Sequence, residues 1–258
     1  MGDIFSLQKK QIVISGATGL VGSELAFALS EFGANLILVG KNEHKLKELL
    51  LRINTNSSSD HSYYVLDIES TEDVLHFLDA FIPARGPVHG VVHCAMARPG
   101  QKTMNNHQET FGLSVEINAT SSFFIWDKFS KLMSNSNGGS LVYIGSIYGC
   151  TSPDFSIYNG TNMGTEPDYM FLKAGMHALS RYYANKYGNL GVRSNIITLG
   201  GVFNHQNPDF VERYISKTSL CRMASPSDVV GACVFLLSDA SQYVTGSEVR
   251  VEGGYLSR

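Results

Sequence analysis

The sequence predicts an α/β protein, a doubly wound parallel sheet (Rossmann fold) of about seven strands with helices on both faces. Short apolar runs alternate with amphipathic stretches along the whole chain, as in βαβ units. Strands joined by helices of about ten residues or more run parallel, with right-handed crossovers. The strand sequences are also continuously apolar, which indicates burial on both faces.

The predicted strands are apolar runs that end at small or polar residues. The first, QIVIS, stops at Gly16, and the fifth runs into Gly145 and Ser146. The seven strands are Gln11–Ser15, Asn35–Val39, Tyr63–Leu66, Val88–His93, Ser140–Ile144, Val192–Thr198 and Glu248–Val251.

The predicted helices carry apolar residues at helical spacing between those strands. Gly33 marks the end of the first helix, and Pro167 marks where the long fifth helix can begin. The helices are Ser23–Phe32, Glu43–Ile53, Thr71–Phe81, Leu113–Met133, Pro167–Tyr187 and Pro226–Leu237.

Composition excludes several classes of protein. The 258 residues are 43% hydrophobic and contain no linker or repeat, so we expect one domain over residues 1–258. A net charge of −3 gives no basic footprint for nucleic acid, and no apolar run approaches the ~20 residues of a membrane span. Scattered cysteines, no signal pattern and no HExxH or CxxC motif predict a cytoplasmic protein without a metal site.

A glycine-rich turn, SGATGLVG, follows the first strand. Its glycines permit a tight turn, close backbone approach to a diphosphate, and close packing of helix on strand. The next helix then points its unpaired amides at the anion. Because the turn opens the first βα unit, we expect it to bind a nucleotide rather than to be purely structural. The expected contacts are Gly16, Thr18, Gly19, Leu20 and Val21.

The end of the second strand favours NADP, with NAD as the alternative. A carboxylate at this position binds the 2′-hydroxyl of the adenine ribose, but the chain has Gly40, Lys41 and Asn42 there. A cation and an amide suit a 2′-phosphate, although Lys41 also fits an ordinary solvated lysine. Asp67, at the end of the third strand, is expected to reach the adenine amino group.

Tyr169 and Lys173 are four residues apart at the start of a predicted helix, so they share one face. An ammonium near a phenol lowers a pKa that is ordinarily about 10, which makes the tyrosine a usable proton donor or acceptor. Ser146 leaves the end of a strand, where open α/β sheets place ligands, and its hydroxyl can hold the substrate oxygen. Asn118, in the preceding helix, offers an amide that can anchor a water connecting to Lys173.

A second Tyr-x-x-x-Lys pair occurs thirteen residues later, at Tyr182 and Lys186. That separation is roughly 20 Å along a helix axis, too far for one site to use both pairs. Because Pro167 places Tyr169 near the carboxyl edge of the sheet, we assign catalysis to Tyr169 and packing to Tyr182.

Together these residues resemble the short-chain dehydrogenase/reductase family over nearly the whole chain, including a tail with Gly253 and Gly254. The resemblance implies hydride transfer at a nicotinamide. It also implies a serine that positions the carbonyl, a tyrosine that transfers the proton, a lysine that holds the nicotinamide ribose, and an asparagine that holds a relay water. Further cofactor contacts are then expected at Ile68, Cys94, Ala95, Tyr169, Lys173, Gly200 and Val202.

Some positions depart from the family's pattern. The glycine spacing is G-x-x-G-x-x-G, since Leu20 replaces the usual middle glycine, and this spacing is similar to that of the longer sugar-nucleotide epimerases. An epimerase with retained cofactor is therefore an alternative function, and a non-catalytic dinucleotide-sensing protein is another. The complete Asn/Ser/Tyr/Lys set argues against the sensor, which has no use for a tuned phenol.

Ser146 and Tyr169 are about ten residues further apart than is usual in the family, so we expect an active-site loop insertion at about 150–167. Its hydroxyls, amides and aromatics suit a polyhydroxylated small molecule, although an ordinary solvated loop is equally compatible. We expect substrate contacts at Ser146, Tyr148 and Tyr158. This segment is also similar to dehydrogenases from bacterial surface-glycan and flagellin-sugar modification clusters.

The helix Leu113–Met133 is apolar on more than one face, with Phe123, Phe124, Ile125, Trp126 and Phe129 in succession. A helix buried all round needs a second packing partner, and the resemblance implies pairing across a subunit interface. We therefore expect a homodimer or homotetramer, although a deeper monomer core remains open.

Overall fold

One seven-stranded sheet organises the part of the chain that the structure, a computed structural model, describes: residues 3–55, 59–99 and 107–257. The strands are β1 (Gln11–Ser15), β2 (Asn35–Gly40), β3 (Ser62–Val65), β4 (Gly90–His93), β5 (Gly139–Ile144), β6 (Val192–Leu199) and β7 (Glu248–Val251). Their order is β3-β2-β1-β4-β5-β6-β7 and every neighbouring pair is parallel. The predicted doubly wound fold is confirmed.

Eight α-helices connect these strands within the described ranges. They are α1 (Leu20–Glu31), α2 (Glu43–Asn54), α3 (Thr71–His76), α4 (Ile82–Ala84), α5 (His107–Ser134), α6 (Pro167–Tyr187), α7 (Pro208–Ile215) and α8 (Val230–Leu237). Neither the 28-residue α5 nor any other helix in those ranges combines the length and apolarity required to cross a membrane.

The sheet separates two hydrophobic cores. Ile12 and Ile14 of β1 face one core, and Val13 between them faces the other, as side chains alternate along a strand. The first core is completed by α1, α2 and α8, and the second by α3, α5 and α6. This two-sided burial explains why the strands are apolar at every position.

The main differences from the sequence-based prediction concern helices. The expected helix Thr71–Phe81 is a short α3 followed by a π-helical turn, Phe77–Phe81, because Pro83 in the next turn cannot donate a backbone hydrogen bond. The long α5 begins at His107, earlier than the predicted Leu113. Helix α7 was not predicted, although Asn207 accepts a hydrogen bond from the Asp209 amide and Pro208 occupies the first helical position.

Close backbone contact fixes the turn between β1 and α1. Gly16 has a φ of +76°, and a Cβ there would lie 2.8 Å from the Ala95 nitrogen. Gly22 lies inside α1, where a Cβ would come within 2.2 Å of the Gly16 carbonyl oxygen. These glycines let the start of α1 pack directly against the ends of β1 and β4.

We expect Gly22→Ala to destabilise the protein by more than ~1 kcal/mol, although alanine favours a helix by up to ~1 kcal/mol over glycine. The added methyl would displace the Gly16 backbone, so dinucleotide affinity should fall as well. Urea denaturation and a dinucleotide titration measure both effects.

Gly231→Ala is the matched control, because Gly231 is also helical but an added methyl group there would meet no atom within 4 Å. This variant should be neutral or slightly stabilising. Equal stability of the two variants would show that the Gly16–Gly22 contact does not constrain the turn.

Candidate active site

Two adjoining cavities, of about 500 and about 470 Å³, open along the carboxyl edge of the sheet. They share Gly16, Gly19, Cys94 and Arg98, so together they form one elongated crevice. The first is lined by the predicted site residues Leu20, Val21, Ser146, Tyr148, Tyr158, Tyr169, Lys173, Gly200 and Val202. The second is lined by the predicted contacts Thr18, Lys41, Asp67, Ile68 and Ala95.

The start of α1 faces the first cavity. Gly19 is the N-cap residue and no side chain caps the helix there, so the first-turn amides have no side-chain acceptor. Gly19 and Leu20 are also exposed. Unpaired amides at a helix start suit an anion, and the residues present therefore fit the diphosphate of a dinucleotide.

The second cavity carries both signs of charge. The Lys41 amine lies 3.6 Å from a Glu69 carboxylate oxygen and 3.9 Å from one of Asp67. Asn42, predicted to bind phosphate beside Lys41, instead caps α2 by accepting a hydrogen bond from the Lys45 amide at 3.0 Å. Its carbonyl oxygen is thus used by the fold, and Lys41 is the cation left at the end of β2.

Tyr169 and Lys173 lie in the first turns of α6, which Pro167 starts. The Lys173 amine is 5.6 Å from the centre of the Tyr169 ring. It donates hydrogen bonds to the Ile144 carbonyl oxygen at 2.8 Å and to the Tyr143 hydroxyl at 3.2 Å. The end of β5 therefore anchors the amine beneath the tyrosine.

Burial determines the pKa of Lys173, which is only 5% exposed. Loss of hydration lowers its pKa to about 8. Burial has the opposite effect on the neighbouring Cys94 thiol, whose pKa rises to about 12. Cys94 is therefore neutral near pH 7, and Lys173 carries its charge in an apolar setting.

Ser146 is buried at the end of β5 and lines the first cavity. Its hydroxyl oxygen accepts a hydrogen bond from the Tyr148 amide at 3.2 Å, which fixes the side chain while its own proton stays available for a substrate oxygen. The Tyr148 ring lies edge-on to the Tyr169 ring, with centres 6.5 Å apart.

Asn118 is buried in α5, and its amide is occupied at both ends. It accepts from the Ala97 amide at 2.8 Å and donates to the carbonyl oxygens of Ala97 at 3.0 Å and Ser114 at 2.9 Å. Protein groups use both its hydrogens and one lone pair of its oxygen, so only the second lone pair is left for a relay water, and that predicted role stays a prediction. The same bonds make Asn118 hold the segment after β4.

The second Tyr/Lys pair lies outside the crevice. Lys186 donates to the Tyr182 hydroxyl at 3.4 Å, and neither residue lines the two cavities. Tyr182 is 55% exposed, and its ring packs edge-on against that of Tyr183, with centres 5.2 Å apart. Its predicted assignment to packing stays a prediction.

The loop predicted to hold substrate packs against the unpredicted helix α7. The Tyr158 hydroxyl is 2.8 Å from that of Tyr148, and the Tyr158 ring stacks on Phe210 of α7 at 5.4 Å. Lys217, just after α7, pairs with Asp154 of the loop at 2.8 Å. Phe210 and Tyr214 thereby join the cavity wall. The sequence evidence for their helix was the cap at Asn207, Pro208 and the helical spacing of the apolar residues.

The structure also groups Cys150, His177 and Glu248, whose ligand-type atoms lie within 4.8 Å of one another. The thiol hydrogen-bonds the Glu248 carboxylate at 3.4 Å, and Arg250 already pairs with that carboxylate at 3.0 Å. This arrangement is a satisfied hydrogen-bonded cluster with a nearby cation, and the expected lack of a metal site stays a prediction.

Known proteins resemble this chain over its whole length. Flagellin modification protein A of Campylobacter coli is 26% identical, with 96% of this chain and 99% of the relative covered. A galactitol 2-dehydrogenase (L-tagatose-forming) of Cereibacter sphaeroides is 26% identical, with 98% and 97% covered. A short chain dehydrogenase structure from Leptospira borgpetersenii, with bound NAD+, superposes with a TM-score of 0.82 at 27% identity, with 99% and 96% covered.

Residues 16–256 match the family model described as "Enoyl-(Acyl carrier protein) reductase". The match covers most of the chain, and the superposition on the Leptospira structure spans nearly all of it. The resemblance drawn from the glycine turn and the Tyr/Lys pair is thus confirmed: this chain belongs to the short-chain dehydrogenase/reductase family of oxidoreductases.

Proposed function

We propose that the protein interconverts a secondary alcohol and a ketone on a sugar-like, polyhydroxylated substrate, with NADP as its coenzyme. The proposal rests on one observation. Ser146, Tyr169 and Lys173 line the first cavity of the crevice, which adjoins the second cavity at the end of β2. A nicotinamide dinucleotide, when bound there, supplies or accepts the hydride.

The chain's own residues handle the proton and the orientation of the substrate. Tyr169 donates its proton to the substrate oxygen during reduction and accepts it during oxidation. Ser146 holds the same oxygen by donating a hydrogen bond. Lys173 keeps a positive charge beneath the Tyr169 ring, while Asn118 fixes the backbone that borders the site.

NADP is preferred in this proposal because β2 ends in Gly40 and Lys41 rather than in a carboxylate. The ion pairs of Lys41 with Asp67 and Glu69 are long and exposed, so they hold the amine only weakly. A 2′-phosphate, with its higher charge, can compete for it. The bound NAD+ of the Leptospira relative keeps NAD as the alternative coenzyme.

The sugar-like substrate is supported by the polar loop over the cavity and by two relatives. One is named for the oxidation of galactitol, a polyol, and the other for modification of flagellin. Tyr148, Tyr158 and the loop at about 150–167 would then select the substrate. Their hydroxyls and amides match its many hydrogen-bonding groups better than they match an acyl chain.

We further propose a homodimer or homotetramer in the cytoplasm. Apolar side chains of the paired helices α5 and α6 stay exposed, namely Phe123, Phe171 and Tyr182. A second copy would cover them, whereas Trp126 and Phe129 of α5 are buried within the subunit. Free thiols at all four cysteines suit a reducing compartment.

Tyr169→Phe tests the proposal. The variant should lower kcat by a factor of about 10² to 10⁴, with dinucleotide affinity unchanged, because only the proton-bearing oxygen is removed. Activity is followed as NADPH absorbance with a panel of polyols and ketoses. Tyr182→Phe, the matched control in the second Tyr/Lys pair, should keep wild-type turnover.

Near-normal turnover of Tyr169→Phe would remove the tyrosine from the reaction. Formation of an epimer with no net change in NADPH would instead establish the sugar-epimerase alternative.

Lys173→Met tests the cost of the buried charge. Because the pKa of Lys173 is about 8 when folded and about 10.4 in an unfolded chain, the unfolded state binds more protons between these values. The free energy of unfolding that this group contributes therefore rises with pH across that range. Wild type should gain on the order of 2 kcal/mol relative to Lys173→Met between pH 7 and pH 9.5, measured by urea denaturation.

The same variant should lose turnover at every pH. A stability difference that stays constant between the two pH values would mean that Lys173 titrates as an exposed lysine does.

Lys41→Asp tests the coenzyme. The carboxylate would repel a 2′-phosphate and accept a bond from a 2′-hydroxyl, so the ratio of kcat/KM for NADP over NAD should fall at least tenfold. Lys45→Asp, a neighbouring exposed lysine outside both cavities, makes the same charge change. If both variants leave the ratio unaltered, Lys41 does not select the coenzyme.

A further inference from the structure

The first cavity is positively charged in a protein with a negative net charge. Its charged lining residues are Arg98 and Lys173, and no aspartate or glutamate lines it among the described residues. The whole chain carries 23 acidic against 20 basic residues. Residues 100–106, which follow Arg98 in the sequence, also include no acidic residue. The local excess of positive charge is therefore a property of this site and not of the protein.

Arg98 lies over the catalytic tyrosine. Its guanidinium carbon is 5.3 Å from the centre of the Tyr169 ring, within the range of a cation–π contact. The residue is exposed and forms no ion pair with any described carboxylate, whereas Lys41 and Arg222 each face an acid. Among the described residues no group accepts a hydrogen bond from its planar donors, which suit a carboxylate bound by two hydrogen bonds.

A buried clamp holds Arg98 in this place. Ala97, the preceding residue, is bound through both its amide and its carbonyl by Asn118, which is 5% exposed. Pro99 follows, and a residue before proline is restricted to extended backbone. The side chain therefore leaves a fixed point of the backbone next to Tyr169, unlike an arginine on a loose surface loop.

Lys173 is not placed to bind an anionic group at the far end of the substrate. Its amine is buried and donates to Ile144 and Tyr143, so it points away from the outer part of the cavity where a substrate's distal end would lie. Of the described residues that line the cavity, Arg98 supplies the cation at this outer wall.

We infer that Arg98 recognises a negatively charged group on the substrate, and that the substrate is a polyhydroxy acid whose carboxylate lies a few bonds from the reacting carbon. The inference rests on the proposed function, since it extends the substrate of that same site. The reacting carbon of the substrate lies at the Tyr169 hydroxyl, and the Arg98 guanidinium lies over the same ring. One short molecule can therefore reach both residues.

The diphosphate of the coenzyme is the competing anion, because Arg98 also lines the second cavity. The amides at the start of α1 already face that anion, and the guanidinium is placed over the substrate side of the crevice by its contact with Tyr169. The two assignments differ in what is lost when the charge is removed, the affinity for substrate or the affinity for coenzyme.

The test compares Arg98→Gln and wild type on aldonates and on the alditols of the same carbon skeleton, for example gluconate against glucitol. In wild type, kcat/KM for the best aldonate should exceed that for its alditol at least tenfold. Arg98→Gln should raise KM for the aldonate tenfold or more and leave the alditol and the NADPH dissociation constant, measured by fluorescence, within twofold. Arg181→Gln, an exposed arginine of α6 outside both cavities, controls for the change in net charge.

A binding measurement accompanies the kinetics. In the presence of NADP, aldonates should raise the melting temperature of wild type and not that of Arg98→Gln, which tests Arg98 whatever the rate of turnover. Preference of wild type for alditols would overturn the inference and leave the proposed function in place. A weaker NADPH affinity of Arg98→Gln with an unchanged aldonate KM would also overturn it, by assigning Arg98 to the coenzyme. Failure of the proposed function itself would appear separately, as wild-type turnover in Tyr169→Phe.

Discussion

The burial of the Lys173 amine beneath Tyr169 is the interaction on which the site depends. Burying an ammonium is unfavourable unless its hydrogens are used, and here the Ile144 carbonyl and the Tyr143 hydroxyl use two of them. Both acceptors belong to the end of β5, so the position of the charge follows from the register of the sheet. Burial of this charge lowers the stability of the fold. It also places the cation near the phenol where water screens their interaction only weakly.

The segment after β4 has a comparable constraint on its backbone. Gly16 brings the glycine-rich turn against Ala95, and Asn118 holds Ala97 two residues later. One short stretch of chain thus links the turn, the long helix and the arginine above the tyrosine. Tyr143 and Asn118 act through their neighbours, since Tyr143 anchors the Lys173 amine and Asn118 fixes the wall of the crevice.

Much of the fold and of the site could be predicted from local sequence. Buried parallel strands must be apolar throughout, and crossover helices must be amphipathic, so strands such as β1 and β5 and helices such as α2 were found almost to their ends. Tyr169 and Lys173 were found because a four-residue spacing defines one helix face. Helix α7 was missed although Asn207, Pro208 and the helical spacing of its apolar residues indicate it. The pairing of Tyr148 with Tyr158 and the contact of Arg98 with Tyr169 were missed because each joins residues that are distant in sequence.

The sequence by itself determined the class of fold, the family and the residues proposed to handle the proton, because hydrophobic periodicity and short-range spacing are local properties. Only the tertiary structure decided what Asn118 binds, that α7 completes the cavity wall, and which cation lies over the Tyr169 ring. Those outcomes depend on which surfaces become buried when α5, α6 and α7 pack around the sheet, and burial sets both the energy of a charge and the partners that a polar group can reach.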